Sequence, residues 1–552
     1  MRLLFFSAFL ILGFQACQPT GPSADTIYYN ANIWTGDPEQ PAAGALAVKD
    51  GKILFIGEDY AAYKGPETEM NDAEGRLLLP GFTDNHTHFL DGGFQLASVE
   101  LRSAQNPDEF IRRLADFAKG LPDDGRWITG GNWDHEAWGG ELPRREWIDS
   151  VSAGHPVFVS RLDGHMALAN SQVLALAGIH KDSPDPEGGT IVKDTHTGEP
   201  TGILKDEAMG QVYAIMPGRT EAELDEALQR AVQHALSLGL TQVHDVGSFG
   251  GWTDLATYQR AYEKGKLPLR IYSFVPISSW ARLAEYVAEN GKGDDLLRWG
   301  ALKGFVDGSL GSTTAWFYDP YNDEPETSGL LVNDTIQLRN WILSADSAGL
   351  HIGVHAIGDR ANDWLLRVYA EAAARNGQRD RRFRIEHAQH LTRGAIGRFA
   401  ELGVIPSMQP YHAIDDGRWA EKRIGPERIK TTYPFRSLLD AGAPLTFGSD
   451  WTVAPLDPLE GIYAAVTRRT LDGANPGGWV PQEKIGVEEA LRCYTSANAY
   501  AGFQEDKLGI LKAGYLADFV ILSENIFEIA PEKIKEVEVV RTVVNGAAVF
   551  VR

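Results

Sequence analysis

Basic residues are scarce in this 552-residue chain: 52 Lys and Arg stand against 75 Asp and Glu, for a formal net charge of −23 at pH 7. A nucleic-acid footprint needs clustered Lys and Arg, so this balance argues against one and favours an enzyme or a binding protein. Cysteine is scarcer still, at two residues, Cys17 and Cys493, too few for a disulfide framework. Long apolar stretches are lacking as well. The opening LLFFSAFLILGF is a run of about a dozen residues, too short to span a bilayer. No fixed-period repeat or low-complexity segment is present, which speaks against a solenoid. What the chain has in quantity is core-forming material, 43% hydrophobic with 23% charged, enough for one large domain with satellites.

The most informative stretch is Leu77-Leu78-Leu79-Pro80-Gly81-Phe82-Thr83-Asp84-Asn85-His86-Thr87-His88, an apolar run broken at Pro-Gly and ending in two histidines one residue apart. Alternate side chains of a strand point the same way, so His86 and His88 project together from its end. Two imidazoles side by side make half a metal site. An isolated His-x-His is more often a pair of surface histidines, so the test is whether further ligands recur at later strand ends.

They do. Residues 26–76 and the end of the chain alternate short β-like runs with turns, which suggests one small β-domain built from both termini. Residues 89–240 show amphipathic helices such as EAELDEALQRAVQHALSLG and Trp- and Gly-rich loops such as RWITGGNWDHEAWGG. From about residue 240 the rhythm becomes strand then helix. The strands are Thr241 to Asp245, RIYSFVPI, Ala301 to Asp307, HIGVHA, RFRIEHA, GVIPSMQP and PLTFGSD. With the strand before His86 these make eight, the number that closes a (β/α)8 barrel, whose active site forms at the C-terminal strand ends. Those ends carry His86 and His88, Lys303, His355, His387 and Asp450. Imidazole and carboxylate are ligand types for zinc or a similar divalent ion with a position left open. Lys303, inside the apolar run ALKGFVDGS, is costly if buried and charged. Either it pairs with an acid such as Asp307, or carbamylation by CO2 makes it an anionic ligand.

These residues together resemble the amidohydrolase superfamily, with PGFTDNHTH as its first-strand motif. Asp163-Gly164-His165, Gly202-Ile203-Leu204, His355-Ala356-Ile357-Gly358-Asp359, Gly448-Ser449-Asp450-Trp451 and the return Gly509 to Val520 resemble amidohydrolase family 3, the YtcJ-like branch that includes N-substituted formamide deformylases. The resemblance implies an α/β fold: a distorted (β/α)8 TIM barrel at 80–504, with 89–240 inserted after its first strand as a cap. A composite β-sandwich would be built from 26–79 and 505–552. It implies that His86, His88 and Asp450 hold one metal, that His355 and His387 hold a second, and that carbamylated Lys303 bridges them. Activated water would be the nucleophile, and Asp450 would shuttle its proton to the leaving nitrogen. Lys205, in TGILKDEAM, is a rival for the lysine role, and it falls in the insertion read as helical. Substrate-facing positions implied by the motifs or by strand ends are Asp163, His165 and His244. Trp133, Trp316 and Trp451 would line a hydrophobic cleft if their loops converge.

Met1-Arg2, the apolar run and Ala16-Cys17 resemble the lipobox of bacterial lipoproteins. By that resemblance residues 1–17 are a signal peptide, Cys17 is lipidated, 18–25 form a tether, and the protein is exported and anchored to the cell envelope. Cys493 is then left over as a small core residue on a helix, and no intramolecular disulfide is available. The expected function is metal-dependent hydrolysis of a non-peptide carbon-nitrogen bond in a small amide or formamide, with one or two divalent ions, zinc being the metal the ligand types favour. Alternatives are a deaminase or cyclic-amide hydrolase at the same centre, a non-catalytic binding lipoprotein, and a structural metalloprotein. A homo-oligomer is compatible with all of them.

Overall fold

The computed structural model describes residues 22–161, 166–186, 189–247, 251–311 and 313–552. Cys17, Asp163 and His165 lie outside the described residues. The chain divides into two compact units. One comprises 22–87, Gln233–Gly247 and Gly265–Arg552; the other comprises His88–Val232 and 251–264.

The first unit holds a parallel eight-stranded sheet. Its strands are β1 (Phe82–Thr87), β2 (Leu240–Asp245), β3 (Arg270–Pro276), β4 (Leu297–Phe305), β5 (His351–Ala356), β6 (Arg384–His387), β7 (Ile405–Met408) and β8 (Thr446–Phe447). Each overlaps one of the eight runs expected from the sequence, although β2 begins at Leu240 and β4 at Leu297, ahead of the expected starts at Thr241 and Ala301. The strands are buried on both faces, as β1 and β2 are at every position, because barrel strands pack side chains inside and helices outside. The ring is nearly closed between β8 and β1. There the Asp450 N–H donates to the His86 carbonyl at 2.7 Å, and Asn498 Nδ2 donates to the carbonyls of Thr83 and Phe447. Gly81 is demanded by the approach of β2, since a Cβ there would sit 2.3 Å from Thr241 Cγ2.

The same unit contains the two terminal sheets. Thr26–Tyr29 pairs with Ala45–Lys49 and Glu69–Asp72 in a four-stranded sheet. Leu77–Pro80 lies in a six-stranded sheet between Asn32–Trp34 and Phe519–Leu522, so residues from both ends of the chain share it. Tyr28, Leu46 and Ile53 of one sheet share a core with Ile33, Leu78 and Phe519 of the other. The apolar run Leu77 to Thr87 is therefore two strands, one per sheet, divided at Gly81. Arg270, at the start of β3, ties the barrel to this region through a buried two-pronged pair with Asp518, at 2.7 and 2.9 Å. Cys493 is buried on the helix Val487–Tyr494.

The second unit corrects the reading of residues 89–240 as mainly helical. It contains a six-stranded sheet in the order Gly189–Lys193, Pro200–Asp206, Met166–Ala169, Val157–Arg161, Ile128–Trp133, Val99–Glu100. The helix Pro107–Gly120 starts as its sequence dictates: Asn106 caps it by accepting from the Glu109 N–H, and Pro107 occupies the first turn. Phe110, Leu114 and Ala118, four apart, bury one face. Lys205 lies in a strand of this sheet, opposite Met166 and Thr190, and not in a helix. The helix Trp252–Glu263, which follows β2, also belongs to this unit, so the unit is not confined to one insertion.

Candidate metal centre

The register of the barrel strands sets the site. Lys303 on β4 stands opposite Gly353, His355 on β5 opposite Glu386, and Ala356 opposite His387 on β6. His86 comes from β1, and Asp450 follows β8. The residues that sequence reading assigned to a metal thus emerge at the C-terminal ends of their strands. His387 and Asp450 take left-handed backbone angles, φ 76° and 60°, which are strained for side chains of this kind. Strain held at the ends of β6 and β8, on either side of β7, is the mark of a site whose surroundings fix it.

Two groups of ligand atoms each lie within 4.8 Å of one another: His86, His88 and Asp450, and His387, His412 and Asp450. Asp450 belongs to both. Its Oδ1 is 3.6 Å from His86 Nε2, and its Oδ2 is 3.9 Å from His412 Nε2. The rings of His86 and His387 are 4.8 Å apart, and those of His355 and His387 4.5 Å. His387 Nδ1 is 2.8 Å from Gln409 Oε1, so this nitrogen donates and Nε2 keeps its lone pair. His355 Nε2 is spent on the Gly308 carbonyl, 3.0 Å away. His412 Nε2 is buried and has no hydrogen-bond partner among the described residues.

Lys303 is buried, with Nζ 3.3 Å from His86 Nε2 and 5.0 Å from the centre of the Phe305 ring. Burial lowers its pKa to about 8. Pairing with Asp307, one of the two resolutions open at the sequence level, does not occur among the described residues. Asp307 instead accepts the backbone N–H groups of Trp316, Ile357 and Gly358 at 2.7 to 3.0 Å. Burial lowers His86 to about 4, with the Lys303 charge as the second cause, and His355 to about 3. His387 and His412 are pushed down by burial too. All four imidazoles are therefore neutral at pH 7, the form that ligates a metal. Asp84 accepts the N–H groups of His86 and Ser449 at 3.0 Å, which locks the exits of β1 and β8 together. Gly448 leaves room for this, since a Cβ there would lie 2.6 Å from Asp84 and Asn85 oxygens.

Other assigned positions fare differently. His244 is wholly buried inside the barrel, its Nδ1 3.0 Å from Arg384 and its ring edge-on to Tyr272, so it is an interior group and not one that faces substrate. Trp133 is wholly buried in the core of the second unit and donates Nε1–H to the Val159 carbonyl, so it is a core residue and not a cleft wall. Trp451 is buried with its ring 5.4 Å from that of His234. Trp316 is half-buried beneath the Arg360 guanidinium. Lys205 lies in the sheet of the second unit.

The amidohydrolase family model matches residues 69–550. The chain belongs to the amidohydrolase family. The chain is 43% identical over 525 residues to the protein LONG AFTER FAR-RED 3 of Arabidopsis thaliana, covering 92% of this chain and 89% of that one. It is 32% identical to the putative amidohydrolase YtcJ of Bacillus subtilis, over 95% of this chain and 99% of the other. It is 29% identical to the N-substituted formamide deformylase of Arthrobacter pascens, over 96% and 98%. Among solved structures, an uncharacterized metal-dependent hydrolase from Pyrococcus furiosus superposes with a TM-score of 0.75 at 30% identity, covering 92% of this chain and all of that one.

Sequence reading left three contributors to this family site unassigned. His412 sits on the helix Pro410–Asp416 after β7, beyond the strand ends where ligands were sought. Asp84 stands in the first-strand motif, where nothing in the sequence marks its contact with Ser449. Glu386 had a signal in the alternation Arg384-Ile385-Glu386, which puts two charges on one face of a buried strand.

Proposed function

We propose that this amidohydrolase-family chain is a metal-dependent hydrolase that cleaves a non-peptide carbon-nitrogen bond of a small amide or formamide. The observation that carries the reading is the pair of His/Asp ligand groups sharing Asp450 at the C-terminal ends of the barrel strands. The donor set fits a divalent ion such as zinc: neutral imidazoles, one carboxylate, and a buried imidazole nitrogen of His412 with no hydrogen-bond partner among the described residues. His86, His88 and Asp450 would hold one ion; His387, with His355 or His412, would hold a second. An ion bound there supplies Lewis acidity toward the scissile carbonyl and lowers the pKa of water.

The remaining chemistry is the work of side chains. Asp450 is held by its strained backbone and by the His86 carbonyl with its carboxylate turned into the site. It takes the proton from the water whose oxygen adds to the carbonyl carbon. It then returns that proton to the nitrogen as the carbon-nitrogen bond breaks. Lys303, with its lowered pKa, has a substantial neutral fraction near pH 8. A neutral amine is the form that adds to CO2, so a carbamate at Nζ is compatible with the site. The formamide deformylase among the relatives supports an amide or formamide substrate. We also propose export and anchorage through lipidated Cys17; fatty-acid labelling that marks wild type and Cys17→Ser equally would overturn this.

Elemental analysis of protein purified without chelators tests the main reading, with Lys303→Ala and Lys205→Ala alongside. We expect one or two ions per chain in wild type, with loss in Lys303→Ala only, and turnover of a member of an amide panel. Metal-free wild type without turnover would refute the reading.

A further inference from the structure

One charged group lies directly behind the candidate metal centre. Glu386 on β6 is wholly buried inside the barrel, as are His86, Arg384 and Ser407. Its Oε2 is 2.6 Å from His86 Nδ1 and accepts from Ser407 Oγ at 2.7 Å and Arg384 NH2 at 2.9 Å. Its Oε1 accepts from Arg384 Nε at 2.7 Å. Arg384 is itself fixed by the Asn85 carbonyl at 2.5 Å, by Ser407 Oγ at 3.1 Å and by His244 Nδ1 at 3.0 Å. Barrel interiors are ordinarily filled by branched apolar side chains, so this column is a departure that costs desolvation. A buried carboxylate with this many donors is anionic.

We infer that Glu386, held by Arg384 and Ser407, is a positioning residue that fixes the tautomer and ring orientation of His86. The inference rests on the metal reading above and adds to it a residue that touches no ion. Because Glu386 is acceptor-only, the shared proton must sit on His86 Nδ1, which leaves the lone pair on Nε2, the nitrogen 3.6 Å from Asp450 Oδ1. Hydrogen bonding to an anion also raises the basicity of the ligating nitrogen. His244 joins the column from below: Arg384 donates to its Nδ1, so its own proton is on Nε2, beside Gly502. This accounts for a histidine at the second strand end that reaches no ligand atom.

The test compares wild type, Glu386→Gln and Glu386→Asp after chelator stripping. Zinc affinity is read by competition with a chromophoric chelator, and Co2+ reconstitution by the visible ligand-field band. Circular dichroism and thermal melting check the fold. We expect Glu386→Gln to weaken zinc binding about 10–100-fold and to shift the Co2+ band, the effect usual for removal of a ligand's supporting carboxylate. Glu386→Asp, which keeps the charge beside Arg384, should recover part of the loss. If Glu386→Gln does not fold, the Asp variant carries the comparison, because its shorter side chain withdraws from His86. A folded variant with wild-type affinity and an unshifted band would overturn the inference while leaving the metal reading intact. A wild type that takes up neither ion would overturn both.

Discussion

The two compact units of this chain bury different things. The core of the second unit around its six-stranded sheet is apolar, built from residues such as Phe110, Leu114, Val159, Leu168 and Ile203 with Trp133 among them. The first unit buries Asp84, Lys303, Asp307, Arg384, Glu386 and several histidines in or beside its barrel. Both are α/β constructions, so the contrast does not follow from secondary structure. Burying a charge costs free energy that no packing advantage repays on its own. Charges are therefore concentrated in and beside the barrel of the first unit and sparse in the apolar core of the second, which packing holds together.

The sharpest way to break this contrast is Asp450→Asn. It alters the proposed ligand and removes the proposed proton carrier, and we expect turnover of an accepted amide to fall by about 10²–10⁴-fold, with the thermal melt little changed. Retained turnover would remove the chemical meaning of the buried charges. Next in size is Arg270→Ala, which leaves Asp518 buried without its partner. Denaturant titration should show a loss of about 3–5 kcal/mol, and a loss below about 1 kcal/mol would show that the pair is solvated.

The pH dependence of stability should follow the buried histidines. His351 accepts from the Tyr272 hydroxyl at Nδ1 and donates from Nε2 to the Arg382 carbonyl, at 3.0 and 2.8 Å. Burial lowers its pKa to about 3 from the ordinary 6.5. The unfolded chain therefore binds a proton below pH 6.5 that the folded chain refuses. Its contribution is complete above pH 6.5 and is lost as pH falls toward 3, at up to about 1.4 kcal/mol per pH unit. Denaturation midpoints between pH 4 and 7 should show a shallower slope in His351→Gln than in wild type; equal slopes would exclude His351 as a source. The smallest effect belongs to the apolar unit. Trp133→Phe deletes the bond to Val159 and should cost about 1 kcal/mol by denaturant titration while metal content stays unchanged. A loss of metal would contradict a purely structural role.

The barrel was legible because each strand is a short apolar run ending in a polar group, and a parallel barrel exposes those ends on one face. The composite sandwich was legible from β-like alternation at both termini. The sheet of the second unit was not. Its strands are short, Gly130 and Gly131 interrupt one of them with positive φ, and neighbouring amphipathic helices carry the stronger periodic signal. The ligand types could be read from strand ends, but their partners could not. Whether Lys303 faces Asp307 or His86 depends on which backbone N–H groups have already claimed Asp307, and that is set by the loops around Trp316 and Gly358.

The pairing of Leu77–Pro80 with Phe519–Leu522 bears on how the protein is made. The strand that runs on through Gly81 to His86 is synthesised long before its antiparallel neighbour. At ordinary elongation rates of about 5–20 residues per second, the early strand waits roughly 20–90 s on the ribosome with one edge unpaired. The segment that leads into the candidate metal centre is thus exposed to mispairing during synthesis until that neighbour is made.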